Sequence, residues 1–150
     1  EVSIRTDKSE PLFVTLFEEG IPLGDVVETE SEGLELTRNF YDDAGLPTTL
    51  EQIQQGNMFW VRYRVQSTTG ESLNELALSS LFPAGWEIIN PRMEDVKPPD
   101  WVKGINPSQG KYMDVRDDRV NWFFDLGGRG KINFLIRCNP SFAGTYRLPK

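Results

Sequence analysis

Paired carboxylates are the residues of this chain with the clearest potential for chemistry. They occur as Asp42-Asp43 and as Asp117-Asp118. Two carboxylates on one face of a protein could share a proton or flank a glycosidic bond. Neighbouring residues of an extended strand point to opposite faces, however, so neither pair is placed for that chemistry. The spacing therefore predicts no catalytic carboxylate pair.

The second pair lies inside the segment Arg116-Asp117-Asp118-Arg119, in which each acid has a base beside it. We interpret this segment as a structural turn that pins one strand to the next. A partly buried, bidentate arginine contributes more than an exposed one. We therefore expect Arg116 or Arg119 to be partly buried and hydrogen-bonded to carbonyl groups or to a carboxylate of another loop.

Nucleophilic and metal chemistry have few residues to use. Cys138 is the single cysteine, and the chain contains no histidine that could activate it. Cys138 falls on the apolar face of a predicted strand, where a free cysteine is usually a small core residue. Glu28, Glu30 and Glu32 lack the loop spacing of known calcium sites. We expect no catalytic residue, no metal site, no cofactor and no enzymatic activity.

Aromatic side chains are the remaining candidates for binding. Trp101, Tyr112 and Phe123 form the candidate interaction surface. An exposed flat row of these rings could stack on sugars, which would make the chain a carbohydrate-binding or adhesive module. If they are instead covered by residues 90–110 or by a neighbouring domain, the chain is a packing module. The sequence leaves both functions open.

Length and charge exclude further classes. The chain has 150 residues, the size of one domain, and a formal net charge of −7, which argues against a nucleic-acid partner. Residues 1–56 hold 3 basic and 13 acidic residues, whereas residues 57–150 hold 13 and 10. We interpret this asymmetry as attraction between two sheets; the alternative is an acidic docking face built from Glu18, Glu19, Glu28, Glu30 and Glu32. No stretch approaches the roughly 20 apolar residues of a membrane span, so we expect no membrane contact by this chain.

Apolar residues alternate with polar ones along several segments, which is typical of half-buried strands. The segments are residues 33–41, 57–66, 119–126 and 131–138, with two further candidates at 12–17 and 73–82. Short strands about ten residues apart predict an antiparallel β-sandwich.

The connections between these segments carry their own signals. Gly127-Gly128-Arg129-Gly130 joins two strong strands, so we expect an antiparallel hairpin there. The glycine cluster lacks the pattern of a phosphate-binding loop. Residues 48–56 predict one helical turn, capped by Thr48 or Thr49 and ended by Gly56. Residues 90–110 are rich in proline and predict one long irregular loop.

The whole chain, residues 1–150, is predicted to form a single domain. Residues 1–10 are interpreted as a linker or an edge strand. Gly144-Thr145-Tyr146-Arg147-Leu148 turns towards what should be one more strand, so we expect the final strand of the sandwich to be truncated at Lys150. An unpaired edge of this kind favours self-association.

Several segments resemble a known family in their order along the chain. They are Pro11-Leu12-Phe13-Val14-Thr15-Leu16, Leu36-Thr37-Arg38-Asn39-Phe40-Tyr41-Asp42, Leu81-Phe82-Pro83-Ala84-Gly85-Trp86, Arg116-Asp117-Asp118-Arg119 and Gly144-Thr145-Tyr146-Arg147-Leu148-Pro149. Together, over residues 11 to 149, they resemble the C-terminal macroglobulin-like domain (MG10-type) of bacterial alpha-2-macroglobulins.

The resemblance implies a β-sandwich of the fibronectin type III and macroglobulin-like kind. Such a module would serve as a non-catalytic structural and interaction module of a protease-trapping inhibitor. The implied location is periplasmic or at the cell surface, with a membrane anchor in another part of the protein. The implied partners are neighbouring domains of the same polypeptide and, through the full-length protein, proteases. Many members capture the protease through a Cys-x-x-Gln thioester. Cys138 is followed by Asn139, Pro140 and Ser141, so it does not match that motif.

Overall fold

Eight β-strands form the framework of the described chain. The structure, a computed structural model, describes residues 13–15, 17, 30–92 and 98–149. The strands are β1 (Leu34–Asp42), β2 (Pro47–Thr48), β3 (Phe59–Ser67), β4 (Leu73–Leu81), β5 (Trp86–Ile89), β6 (Tyr112–Val115), β7 (Arg119–Leu126) and β8 (Lys131–Pro140). A 3-10 turn over Leu50–Gln52 and one short helix, α1 (Asp100–Ile105), complete the regular structure of these residues.

The strands form two antiparallel sheets. One has five strands in the order β2-β1-β3-β8-β5, and the other has three in the order β4-β7-β6. Their inner faces meet where Trp122 of β7 stacks on Phe134 of β8, with ring centroids 5.3 Å apart. The predicted antiparallel β-sandwich is therefore confirmed.

Alternating burial along the strands builds the core between the sheets. In β7 the buried and exposed residues alternate along the whole strand, as the sequence predicts. The fully or nearly buried side chains of β3, β7 and β8 are Phe59, Val61, Tyr63, Val65, Val120, Trp122, Phe124, Leu126, Phe134, Ile136 and Cys138. Tyr63 shares a hydrogen bond with the Ser80 hydroxyl, and its burial raises the pKa of the Tyr63 phenol. A polar group is thus satisfied inside an apolar layer.

The hairpin expected across residues 127–130 is wrong. β7 pairs with β4 and β6, whereas β8 pairs with β3 and β5, so the two strands belong to different sheets. The glycine cluster carries the chain from one sheet to the other. The backbone N–H of Gly130 donates to the carbonyl of Gly127 at 2.8 Å, and the backbone N–H of Arg129 donates to the carbonyl of Thr69 at 2.9 Å. The predicted turn is therefore present, but the two strands that it connects pair with other strands.

The long loop also differs from the prediction, because it contains α1. Pro99 occupies the N-cap position, where its missing N–H and fixed φ cost the helix nothing. Asn106 ends the helix in the left-handed conformation, with φ of 50°. Pro98 and Pro99, which predicted irregular structure, thus precede a helix of six residues directly.

Other expectations meet mixed outcomes. The turn predicted over 48–56 is present as a 3-10 turn that begins after Thr49, where the Gln52 side chain accepts from the Thr49 backbone N–H at 3.1 Å. It ends at Ile53 and not at Gly56. The strand expected at 73–82 is β4. Residues 12 and 16 of the candidate strand at 12–17 lie outside the described residues, and the structure shows no strand at 13–15 or 17.

The ends of the domain stay predictions. Residues 1–10 lie outside the described residues, and residues 141–149 follow β8 without forming a strand. This last segment folds back on the sandwich, because the Arg38 guanidinium donates to the carbonyl of Pro149 at 3.1 Å. Across the described residues, the helices are too short and too polar to cross a membrane.

Candidate functional site

Four side chains meet at a charged and aromatic cluster on the outer face of the five-stranded sheet. We call it the Asp43 cluster, and it consists of Asp43, Trp60, Trp101 and Arg137. Arg137 donates to both carboxylate oxygens of Asp43, at 3.2 and 2.8 Å. The Trp60 indole N–H donates to the same carboxylate at 3.0 Å, and the Trp101 indole N–H donates to the Asp43 carbonyl at 3.2 Å. One acidic residue therefore binds three partners from distant parts of the chain.

The sheet register places these groups side by side. Tyr41 of β1 pairs with Trp60 of β3, and Trp60 pairs with Arg137 of β8. The Arg137 guanidinium lies 5.6 Å from the centre of the Trp60 ring. Asp43 follows directly after β1 in the tight turn that leads to β2. The Asp43 carboxylate thus lies at the end of this row of outward-facing residues, where it neutralises the charge of Arg137.

Helix α1 covers this row. The Trp101 ring lies 5.6 Å from that of Trp60 and 5.7 Å from that of Tyr41. It rests on Gly45, whose φ is +86°, and a Cβ there would come within 2.7 Å of the indole. Position 45 therefore requires glycine for two reasons: the backbone conformation is left-handed, and there is no room for a side chain.

The segment that follows α1 is fixed to β8. The backbone N–H of Ser108 donates to the carbonyl of Asn133 at 2.7 Å, and the Asn133 side chain donates to the carbonyl of Ile105 at 3.3 Å. Between loop and sheets lies a cavity of about 240 Å³, whose walls include Trp60, Trp122 and several prolines. The cluster and these bonds give the long loop its packing partner.

The structure separates the three aromatic residues that the sequence grouped as a surface. Trp101 is half-buried in the Asp43 cluster, whereas Tyr112 and Phe123 lie on the outer face of the three-stranded sheet. Their rings are 6.0 Å apart and inclined by 33°, and the Arg92 guanidinium lies 5.7 Å from the centre of the Tyr112 ring. The three residues therefore form no common row for stacking on a sugar.

The segment from Arg116 to Arg119 is a turn between β6 and β7, but its arginines are not buried. Arg116 is 67% exposed and donates to Asp114, and Arg119 is 46% exposed and makes two bonds to its neighbour Asp118. These arginine contacts hold the pKa values of Asp114 and Asp118 below their usual range. The expectation of a partly buried arginine, bonded to carbonyl groups or to a carboxylate of another loop, is therefore wrong, because both arginines are exposed and bind nearby aspartates. The backbone ties this turn to β4, since Phe82 donates to the Asp118 carbonyl at 2.8 Å.

The buried, paired arginine of this fold is Arg137, which the sequence reasoning missed. Its side chain is only 14% exposed, and it bonds to a carboxylate 94 residues away along the chain. Two signals were available in retrospect. Trp60 is a large aromatic residue on the polar face of its strand, and Asp43 belongs to a pair that was considered only for catalysis.

We expect Arg137→Ala to destabilise the domain by about 1–3 kcal/mol, because it leaves the Asp43 carboxylate without its main partner. The cost stays below that of a fully buried pair, since the Asp43 side chain is 49% exposed. Urea denaturation followed by tryptophan fluorescence measures this change. Arg119→Ala is the matched control, and its melting temperature should stay within about one degree of the parent. Equal losses in both variants would contradict the assigned role of the Asp43 cluster.

Cys138 is fully buried in the core of the sandwich. Burial raises the pKa of its thiol, so the reactive thiolate is suppressed. We expect a thiol reagent to leave the native chain unmodified and to react with one thiol per chain in denaturant. Rapid modification of the native chain would overturn this assignment of Cys138 as a core residue.

Titratable groups elsewhere form no centre for chemistry. Among the described residues, no three acidic or cysteine side chains come close enough together to hold a metal ion. Lys111 forms an ion pair with Asp125 and thereby lowers the pKa of that carboxyl. The chemistry that the described geometry supports is recognition and packing.

Comparison with known proteins identifies the fold and the family. Residues 33–150 match the family described as the bacterial alpha-2-macroglobulin MG10 domain. The chain is 22% identical over 150 residues to alpha-2-macroglobulin of Pasteurella multocida, which covers 99% of this chain and 7% of that protein. It is 29% identical over 149 residues to alpha-2-macroglobulin of Xylella fastidiosa, covering 93% and 9%.

Solved structures agree with this assignment. A crystal structure of Salmonella alpha-2-macroglobulin superposes with a TM-score of 0.70 at 21% identity, covering 81% of this chain and 8% of that one. Escherichia coli alpha-2-macroglobulin activated by porcine elastase superposes with a TM-score of 0.70 at 18% identity, covering 80% and 11%. The matched region is thus a small part of each relative. From the family match over residues 33–150, the chain belongs to the MG10 domain family of bacterial alpha-2-macroglobulins.

Proposed function

We propose that the chain is a non-catalytic structural and interaction module of a bacterial protease-trapping inhibitor of the cell envelope. The observation that carries this proposal is the family match over residues 33–150. The relatives are alpha-2-macroglobulins, and the Escherichia coli protein has been described in forms activated by porcine elastase and by trypsin. An inhibitor of this kind needs modules that keep their shape while others move.

The geometry of the described residues suits that role. The Asp43 cluster contains the most buried ion pair among the described residues, and it holds the loop that carries Trp101. The core is a continuous layer of large side chains. Closely packed cores deform little and transmit displacement. The module therefore moves as a rigid body when neighbouring domains rearrange around a protease.

The size of the relatives supports a proposal about the partners. The chain spans less than a tenth of the alpha-2-macroglobulins of Pasteurella and Xylella. We therefore assign its direct partners to neighbouring domains of the same polypeptide, and contact with proteases to the longer protein. A periplasmic or surface location, with an anchor in another part of the protein, completes the proposal.

The test compares the longer protein with and without residues 33–150. Trapped trypsin should cleave a small peptide substrate but resist a large protein inhibitor, and removal of the module should abolish this protection. A cooperative thermal transition for the remaining domains controls for general misfolding. Full protection without the module would overturn the proposal.

The isolated chain provides a second arm. We expect it to inhibit no protease and to bind no glycan on an array. Glycan binding that disappears in Tyr112→Ala would favour the carbohydrate-binding alternative instead, because Tyr112 and Phe123 are the exposed aromatic pair of the three-stranded sheet.

A further inference from the structure

The outer face of the five-stranded sheet carries a groove lined by positive charge. Its volume is about 540 Å³. It is lined by Arg62 and Arg64 of β3, by Lys131 of β8 and by residues 104–106 at the C-terminal end of α1. We call it the basic groove.

Strand alternation and register bring the three cations together. In β3 the apolar residues turn inwards, so Arg62 and Arg64 project outwards on the same face. Arg64 pairs with Asn133 of β8, and the next outward pair joins Gln66 to Lys131. Arg62 and Arg64 therefore follow one another along β3, and Lys131 lies on the neighbouring strand one outward pair further on, in a chain whose net charge is −7.

Neutral amides orient both guanidinium groups. Arg62 donates twice to the Asn133 side-chain oxygen, at 3.1 and 2.9 Å, and Arg64 donates to the Gln66 side-chain oxygen at 3.0 Å. In the part of the chain that the structure describes, neither arginine forms an ion pair with a carboxylate. Each is half-buried and held in one direction. Glu35 of β1 lines a small pocket with Arg64 on the same face but forms no ion pair with it. This differs from Arg137, whose charge is neutralised by Asp43.

The spacing of the two arginines specifies what fits. Alternate residues of a strand are about 6.6–6.8 Å apart on one face, and an extended segment with carboxylates at alternate positions has the same repeat. Arginine binds carboxylates through two parallel hydrogen bonds. We propose that the basic groove docks an extended acidic polypeptide segment of the Glu-x-Glu type, presented by another domain of the longer protein.

Charge complementarity selects this occupant. The surface of an acidic chain repels acidic partners in general, so a local row of cations confines such a partner to one orientation. The proposal rests on the proposed function for the source of the segment alone. Docking is measured on the isolated chain, so its failure would leave the role in protease trapping untouched.

The test titrates the 150-residue chain with a labelled peptide, Gly-Glu-Ser-Glu-Ser-Glu-Ser-Gly, and follows fluorescence anisotropy. Arg62→Gln and Arg64→Gln should each weaken binding about tenfold, and raising the salt from about 0.02 to 0.3 M should weaken it further. Arg116→Gln removes the same charge from an exposed position on the other sheet and should change the affinity less than twofold. A peptide with glutamine in place of glutamate should not bind.

Three results would overturn the proposal. The first is no binding of the acidic peptide at low salt. The second is equal weakening by Arg116→Gln, which would indicate attraction without a site. The third concerns the chain's own Glu28, Glu30 and Glu32, which have the same spacing. If the peptide binds only after these three are changed to glutamine, the groove is occupied by its own chain instead of another domain.

Discussion

Trp122→Ala is expected to bring the isolated domain close to unfolding, whereas Phe123→Ala should leave it nearly unchanged. Trp122 is 1% exposed and packs on Phe134 at 5.3 Å and on Tyr63 at 5.6 Å, so it joins both sheets. Removing such a ring costs about 3–5 kcal/mol, because it loses buried area and leaves a cavity. The total stability of a domain is only about 5–15 kcal/mol.

The control lies one residue further along the same strand and faces the other way. Phe123 is 41% exposed, and its truncation should cost less than about 1 kcal/mol. Equilibrium unfolding in urea, followed by circular dichroism, compares the two variants. Similar losses in both would show that the assignment of inner and outer faces in β7 is wrong.

Gly128→Ala should cost about 2–3 kcal/mol, although it adds a single methyl group. A Cβ at Gly128 would come within 2.1 Å of the carbonyl oxygen of Gly70 and 3.3 Å of the backbone nitrogen of Glu71. Both obstacles are backbone atoms, which cannot swing aside as the end of a side chain does. The crossover between the two sheets has to shift to admit the methyl group.

Gly127→Ala provides the matched control for this prediction. A Cβ at Gly127 meets no atom within 4 Å, so the change should be neutral or slightly stabilising. Differential scanning calorimetry of the two variants and the parent would show the contrast. A Gly128→Ala melting temperature equal to that of the parent would mean that the crossover is loosely packed.

The strands and their buried faces were predictable, because alternation is a local signal. In β7 and β8 each residue's side of the sheet follows from its parity, and a single buried face imposes that pattern on the sequence. The resemblance to the alpha-2-macroglobulin family, read from short segments in order, was confirmed by the match over residues 33–150. These inferences needed no knowledge of which strand lies next to which.

Strand partners were not predictable, because pairing is decided by the whole sandwich. The glycine-rich connection indicated a hairpin between β7 and β8. Both edges of β7 are taken by β4 and β6, however, and β8 fills the gap between β3 and β5. A turn sequence limits the path of the chain over a few residues, whereas partner choice depends on covering both sheets at once.

The candidate site failed for the same reason. Arg116 and Arg119 were predicted to be structural because acidic residues lie next to them in the sequence. Pairs between such close neighbours can form at an exposed turn, and they do so here. The ion pair whose arginine is mostly covered joins Arg137 to Asp43 across 94 residues. Sequence spacing does not show a contact of that range. Trp60 on the polar face of its strand hinted at a covered site, but its partners became clear only once β3 and β8 were known to be neighbours.

The central pairing of β3 with β8 also governs how the chain reaches its fold. Arg62 and Asn133 lie in register on these strands and are 71 residues apart. Contacts of such separation slow folding, because much chain entropy is lost before they form. At a synthesis rate of about 5–20 residues per second, several seconds pass between the synthesis of β3 and that of β8, and during this time one edge of β3 has no partner strand. Arg62 and Arg64 give that waiting strand a charged face, which opposes its pairing with a second nascent chain.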